Sequence, residues 1–174
     1  MKKPLPYAVS ILALLSASSC FAYEAPSNYK NSQLVNIRFS PLLSAIKAVN
    51  VEADIKLNEY FSAGPMYTNV LSGIPGIGYA NIVSTGVRVN YHHNGTFRQG
   101  DYASAYVKKW ESDRQTTIQS FNSAAIVLGH QWKWKSFNVN LEAGYTVIQF
   151  SDEESSDFHS GGYWTSDIML GWAF

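Results

Sequence analysis

The sequence has almost no cysteine, few charged residues and no long apolar run. Cys20 is the only cysteine among 174 residues, which excludes a disulfide within the chain. Charged residues make up 15% of the chain and cancel to a formal net charge of zero. The chain therefore has no excess of basic residues that would indicate nucleic-acid binding. No apolar run reaches the roughly 18 residues of a membrane-spanning helix. What is plentiful is aromatic residues, at 14% of the chain.

The N-terminal residues have the composition of a secretory signal peptide. Lys2 and Lys3 give a positive start, residues 7–15 are apolar, and residues 16–22 are mostly small. This pattern predicts cleavage after Ala22. We therefore exclude residues 1–22 from the fold and expect an exported protein.

Cleavage at this point would remove the only thiol, because Cys20 lies inside the predicted signal peptide. The alternative is a lipoprotein box ending at Cys20, although Ala17 stands where such boxes usually have leucine. The polar residues 23–32 that follow are predicted to be a short lead-in on the periplasmic side.

Apolar residues alternate with polar or small ones through the rest of the chain. Val49, Val51 and Ile55, for example, alternate with Glu52 and Asp54. A helix would spread this pattern around its surface, whereas a strand places the apolar residues on one face. The pattern predicts eight strands, over residues 33–40, 48–57, 61–67, 81–91, 101–109, 121–132, 137–150 and 163–174.

The links between the predicted strands are short on one side and mostly long on the other. Asn94-Gly95, after the fourth strand, has the residues of a tight hairpin turn. Residues 68–79, 110–120 and 151–162 are longer links, and only 41–47 is brief on that side. Short periplasmic turns opposite longer outer loops are typical of outer-membrane barrels. We therefore predict an all-β fold for residues 33–174, an eight-stranded antiparallel up-and-down transmembrane β-barrel.

The last predicted strand carries a resemblance to a known family. Its large residues Trp164, Ile168, Trp172 and Phe174 share one face. An alternating strand that finishes on phenylalanine resembles the closing strand of Gram-negative outer-membrane β-barrels. In length and predicted topology the chain resembles the small OmpA/OmpX-type barrels.

This resemblance implies a location, partners and roles for three aromatic residues. The expected location is the cell outer membrane, with outer-membrane lipid and lipopolysaccharide around the barrel. Trp164 and Trp172 are expected at the two membrane interfaces, since their spacing matches the apolar band of such a barrel. Phe174 is expected to belong to the signal that the barrel-insertion machinery reads.

Alternate residues of a strand point to opposite faces, so the residues between the outward apolar ones point into the barrel. Many of these inward residues are charged. An unpaired buried charge is costly, so these residues are expected to form a salt-bridged plug that leaves no general-diffusion pore. The alternative for Lys56 and Arg38 is a solvated position at a strand end. The facing of strand 101–109 stays open, because Tyr102 and Tyr106 compete with alanine and valine for the lipid side. The predicted network comprises Arg38, Glu52, Asp54, Lys56, Arg88, Glu142 and Asp167.

No catalytic residue, cofactor or metal site is predicted. His159-Ser160, with Asp157 and Glu154 nearby, has the residue types of a hydrolase, but adjacent residues in a loop have the wrong geometry. The lipid A deacylase-like barrels carry His-x-Ser on a strand, which this sequence lacks. The function expected is non-enzymatic, structural or interaction-bearing through the outer loops. The alternative is a lipid A-modifying enzyme, a deacylase or an acyltransferase.

Three smaller features can each be interpreted as functional or as purely structural. The acidic residues between Asp152 and Asp157 could bind a divalent cation or be a solvated loop. His92-His93 is interpreted as turn residues rather than a metal pair. Segment 68–79, with Val70, Leu71, Ile74 and Ile77, is apolar enough to contact lipid headgroups or a protein partner, or else folds over the barrel mouth.

Overall fold

Eight strands close into one antiparallel barrel, which confirms the predicted fold class. The computed structural model describes residues 32–45, 48–70, 81–114, 117–150 and 161–174. Each strand pairs with its neighbours in sequence. The strands are β1 (Val35–Phe39), β2 (Ala48–Lys56), β3 (Phe61–Val70), β4 (Asn81–His92), β5 (Gly100–Arg114), β6 (Thr117–Trp134), β7 (Phe137–Phe150) and β8 (Gly161–Ala173).

Pairing of β1 with β8 closes the barrel. Ile37 lies opposite Trp172, and Arg38 lies opposite Gly171. A side chain at position 171 would collide with Arg38 and Asn138, so glycine leaves the space through which the arginine enters the lumen. Closure is therefore coupled to the placement of a buried charge.

The two faces of the barrel wall have opposite chemistry. Large apolar side chains point outward and are exposed, among them Ile126 at 68% and Trp164 at 85%. The buried side chains are mostly polar or charged, including fully buried asparagines on β1, β4 and β7. This distribution is the reverse of a soluble domain, in which apolar side chains fill the interior.

Aromatic rings gather near both ends of the outer wall. At the end that carries Phe174, Tyr91 contacts Phe61 at 5.4 Å between ring centroids, and Phe137 contacts Trp172 at 5.9 Å. Nearer the other end, Tyr145 contacts Trp164 edge to face at 5.7 Å. The exposed apolar band therefore has aromatic residues at both margins.

The largest difference from the sequence prediction is in β5 and β6. Residues 110–120 were predicted to be a loop, which is wrong for residues 110–114 and 117–120, because the ladder continues to the pair Arg114 and Thr117. The outward residues there, Lys109 and Glu111, are polar and form an exposed ion pair at 3.0 Å. The apolar alternation used to detect strands stops at this level although the hydrogen-bonded ladder does not.

The link after β1 contains a short helix, α1 (Pro41–Ala45). Pro41 stands at the first helical position, where its missing N–H costs no hydrogen bond. The Ser40 hydroxyl accepts a hydrogen bond from the Leu43 amide at 3.3 Å, as an N-cap does. The brief link that the sequence predicts is therefore ordered by a serine and a proline at its start.

The turn between β4 and β5, residues 93–99, is longer than the tight hairpin that Asn94-Gly95 predicts. It folds inward, and Phe97 is fully buried. Phe97 has a left-handed backbone with φ of 58°, a conformation that costs roughly 1–2 kcal/mol for a residue with a side chain. Burial of the phenyl ring offsets this cost.

Candidate functional site

Five charged side chains meet inside the barrel as a single ion cluster. Because successive strand residues point to opposite faces, alternate residues of each strand enter the lumen. All five residues belong to the sequence-predicted network. This lumen cluster consists of Arg38 on β1, Glu52 and Asp54 on β2, Arg88 on β4 and Glu142 on β7.

Arg88 lies at the centre of the lumen cluster and is 1% exposed. Its Nη2 and Nη1 donate to the two carboxylate oxygens of Glu142, at 2.5 and 3.2 Å. Nη1 also donates to Oε2 of Glu52 at 3.2 Å. The planar guanidinium matches a carboxylate with two parallel hydrogen bonds, which lysine cannot do. Arg88 therefore ties β4 to β7 across the lumen and to β2.

Arg38 joins the same cluster from the strand that closes the barrel. Its Nη2 lies 2.9 Å from Oε2 of Glu52 and 2.8 Å from Oδ2 of Asp54. Glu52 therefore accepts from both arginines through one oxygen. The alternative that Arg38 is solvated at a strand end is wrong, because its side chain is 2% exposed.

Neutral polar groups supply further hydrogen bonds to the lumen cluster, although Nε of Arg38 is buried without a hydrogen-bond partner among the described residues. Asn90 accepts from Nε of Arg88 at 2.7 Å and donates to Asp54 at 2.8 Å. Ser104 accepts from Nη2 of Arg88 at 2.8 Å, and the Tyr102 hydroxyl donates to Glu142 at 3.0 Å. Buried ions need this second set of partners, because a charge pair alone does not offset the loss of hydration.

The structure resolves the facing of β5, which the sequence left open. Tyr102 is buried in the lumen, and Val107 is exposed on the outer wall. The Tyr102 ring lies against Gly129 of β6, where an added Cβ would lie 2.4 Å from the ring. Glycine at this position is required for the close approach. The signal for the facing of β5 was therefore a glycine on β6, which the alternation of residues within β5 does not include.

The two remaining network residues differ in position, since Asp167 lies opposite Glu142 in the β7–β8 pairing and Lys56 is at the end of β2. Asp167 accepts a hydrogen bond from the Ser40 hydroxyl at 2.6 Å, which places it at the end of β1 near α1. Lys56 is the last residue of β2 and is only partly buried. The described salt bridges connect neither residue to the lumen cluster.

Lys108 is a lumen cation that the sequence did not predict. Lys108 extends inward from β5, and its Nζ donates to Thr68 at 3.2 Å. The ammonium also lies 5.4 Å from the Tyr106 ring centroid and 5.6 Å from that of Trp110, within reach of cation–π attraction. It was missed because the facing of β5 could not be assigned, so Lys108 and Lys109 were equivalent candidates.

His92 is the last residue of β4, with its side chain buried, so interpreting it as a turn residue is wrong. Its Nε2 lies 3.0 Å from the Ser62 hydroxyl oxygen, a distance that fits a nucleophile and its base. Both side chains are buried, however, and the His92 ring packs against Phe97 and Tyr102. Neither group is therefore exposed on the outer wall, the surface that a lipid substrate would contact.

The inward turn, residues 93–99, closes the end of the lumen near Phe174. The Thr96 amide donates to the Glu59 carbonyl at 2.6 Å, which ties the turn to the β2–β3 turn. On the other side, Lys133 of β6 donates to the Phe97 carbonyl and to the Gln33 side chain. With Phe97 fully buried beneath the lumen cluster, this end of the barrel is filled by protein.

The predicted interface aromatics all point outward. Trp164 is near the start of β8, while Trp172 and Phe174 are at its end and more than half exposed. The Phe174 backbone pairs with β1, since its amide donates to the Val35 carbonyl at 2.9 Å. The three residues thus occupy both margins of the exposed apolar band.

Several sequence-based interpretations concern residues outside the described ranges. These are the signal peptide and lead-in up to residue 31, most of segment 68–79, and the acidic and histidine-containing residues 151–160. Residues 68–70 are described and belong to β3, so the predicted loop is wrong at these three residues. In the ranges that are described, no group of three or more His, Cys, Asp or Glu side chains is placed to hold a metal ion. The described helical residues include no helix long and apolar enough to cross a membrane.

Comparison with known proteins finds no family model that matches the sequence and no curated protein with significant similarity. The architecture itself, a closed barrel of eight antiparallel strands in sequence order, is consistent with the OmpA/OmpX-type fold.

Breaking the lumen cluster should destabilise the barrel strongly. Arg88→Ala leaves Glu142 buried without its main partner, and loss of one member of a buried pair costs about 3–5 kcal/mol. Glu142→Gln keeps the shape of the side chain and should lower the free energy of unfolding by a smaller amount. The matched control is Glu111→Ala, whose exposed pair with Lys109 is worth at most about 1 kcal/mol.

The measurement is urea unfolding of each variant refolded into the same detergent micelles or lipid vesicles. Equal unfolding free energies for Arg88→Ala and Glu111→Ala would contradict the role given to the lumen cluster.

Proposed function

We propose that this chain is an integral outer-membrane β-barrel protein that acts without catalysis, in a structural or interaction role through its outer loops. The observation that carries the proposal is the reversed wall, with apolar side chains outside and an ion cluster inside. So much exposed apolar surface is unfavourable for a monomer in water, whereas the acyl chains of a bilayer would cover it.

The height of the apolar band supports this environment. Trp164 and Trp172 are eight residues apart on β8. Steps of roughly 3.3 Å at a tilt of about 40° give a rise on the order of 20 Å, close to the apolar band of bacterial barrels. Closure of the ladder removes the open sheet edge that hydrocarbon cannot solvate.

The orientation and location follow from the strand count and the N-terminal residues. With eight strands in up-and-down order, the start of β1 and the end of β8 lie on the same side of the barrel. The predicted signal peptide, residues 1–22, supports export, and the resemblance to OmpA/OmpX-type barrels supports the outer membrane with the ends in the periplasm. By the same resemblance, Phe174 belongs to the signal read by the insertion machinery.

A closed lumen argues against a transport role. Eight strands leave an interior that side chains can fill. Here the lumen cluster spans from β1 and β2 to β7, and the Phe97 turn closes one end. Ligands or partners are therefore proposed to act from outside the barrel, at the outer loops and at the lipid-facing wall.

Planar-bilayer recording tests the closed lumen. The wild-type protein should give no steady conductance, because the lumen cluster and Phe97 occlude the path. The variant Phe97→Gly removes the ring that fills the turn end. It should also give no steady conductance, because the lumen cluster still blocks the path. Large, steady, porin-like steps from the wild-type protein would refute the proposed non-transport role.

The alternative function, lipid A modification, rests on the Ser62–His92 contact. We propose that the contact is structural, since burial keeps both groups from a lipid substrate. Mass spectrometry of envelope lipid A should give the same acyl pattern with the wild-type gene, with Ser62→Ala and without the gene. An acyl change that requires Ser62 would make the protein an enzyme and overturn this part of the proposal.

A further inference from the structure

A shallow groove of about 630 Å³ crosses the wall of the barrel over strands β4 to β7. It lies toward the end of the barrel away from Phe174, where the outward side chains change from apolar to polar. Neither the lumen cluster nor the closed turn end involves this groove.

Polar side chains form its upper margin as one continuous row. Strand register places Thr85 beside Lys109, Lys109 beside Asn122, and Asn122 beside Gln149. All four are exposed on the outer wall. The row thus offers one ammonium group and two amide groups as cross-strand neighbours on four adjacent strands.

The lower part of the groove is apolar, with a low point at its centre. Val87, Val107 and Val147 lie on either side of Ala124 in the next row down. The next outward residue on β6, Ile126, is 68% exposed and projects further. The single methyl group of Ala124 therefore leaves a depression between larger side chains.

Lys109 supplies the charge of the upper row. Its side chain is 61% exposed, and its only described ion pair is with Glu111 at 3.0 Å. An exposed pair of this kind contributes little free energy, so the ammonium can exchange or share its partner. Lysine is a common phosphate ligand as a compact point charge with three donors.

We propose that this groove binds one phosphate-bearing lipid of the surrounding membrane. The headgroup phosphate contacts Lys109, the amides of Asn122 and Gln149 donate to neighbouring headgroup oxygens, and an acyl chain lies over Ala124. A boundary between one polar row and one apolar row matches an amphiphile lying along the wall. The inference rests on the proposed function, since the polar row faces the outer leaflet only in that orientation.

Native mass spectrometry from detergent micelles supplies the test, with lipid A as the probe and phosphatidylcholine as the comparison lipid. The wild-type protein should retain one lipid A and lose phosphatidylcholine. Lys109→Gln should weaken lipid A binding about fivefold, the most that an exposed charge contact supports. Ala124→Leu should reduce retention by filling the depression.

Matched controls separate the groove from general effects. Lys135→Gln removes the same charge at the opposite end of the barrel. Ala53→Leu adds the same bulk to the outward face of β2. Neither control should change lipid A retention.

Three results would overturn the inference. They are absence of retained lipid A on the wild-type protein, equal retention by Lys109→Gln, and equal retention of phosphatidylcholine. A dimer that Ala124→Leu dissociates would assign the groove to a second copy of the chain instead.

Cell fractionation of each variant distinguishes a failed lipid site from a failed function. Protein found in the outer-membrane fraction without lipid A retention would refute the groove alone. Protein absent from that fraction would refute the proposed function as well.

Discussion

The ion cluster in the lumen is the interaction on which the rest of the barrel depends. Five ionised side chains from β1, β2, β4 and β7 share one small interior. Burying such groups is costly, and removing any one leaves another uncompensated. The arrangement is stable only when every strand holds its register, because a shift by one residue would move the charges to the outer face. The cluster therefore specifies the register as well as filling the lumen.

Space for this cluster comes from small residues on the adjacent strands. Gly171 admits Arg38, and Gly129 admits the Tyr102 ring that donates to Glu142. Asn90 and Ser104 satisfy donors that the carboxylates do not reach. Most large apolar residues are therefore on the outer wall, whereas only a few, among them Met66, Phe97 and Met169, are buried. The polar inside and the apolar outside are thus two consequences of one pattern of alternation.

Much of this structure could be predicted from the sequence, because a period of two is a direct physical requirement of a strand with two different faces. The eight strands and five of the seven predicted network residues followed from this alternation, and the strand order followed from the lengths of the links. The alternation of apolar and polar residues did not reveal the strands where the outward residues are polar, at the ends of β5 and β6 that lie away from Phe174. There Lys109 and Glu111 point outward, and the residues that follow Lys109 were predicted to be a loop.

Contacts between distant residues were the other part that the sequence did not reveal. The facing of β5 depends on Gly129, which belongs to a different strand, and Lys108 was missed with it. The burial of Phe97 depends on a turn that folds back under the barrel, which Asn94-Gly95 does not indicate. Local patterns carry no information on such packing, since the partners lie on other strands or turns.

The central claim is that lipid, and not water, covers the outer wall. Spin labels on single cysteines, in a background with Cys20→Ser, measure this directly in vesicles. Labels at Val89, Ile126 and Ile168 should collide mainly with oxygen dissolved in the bilayer, whereas labels at Glu111 and Lys135 should collide mainly with a water-soluble nickel chelate. Equal access of the nickel chelate to all five positions would contradict the account.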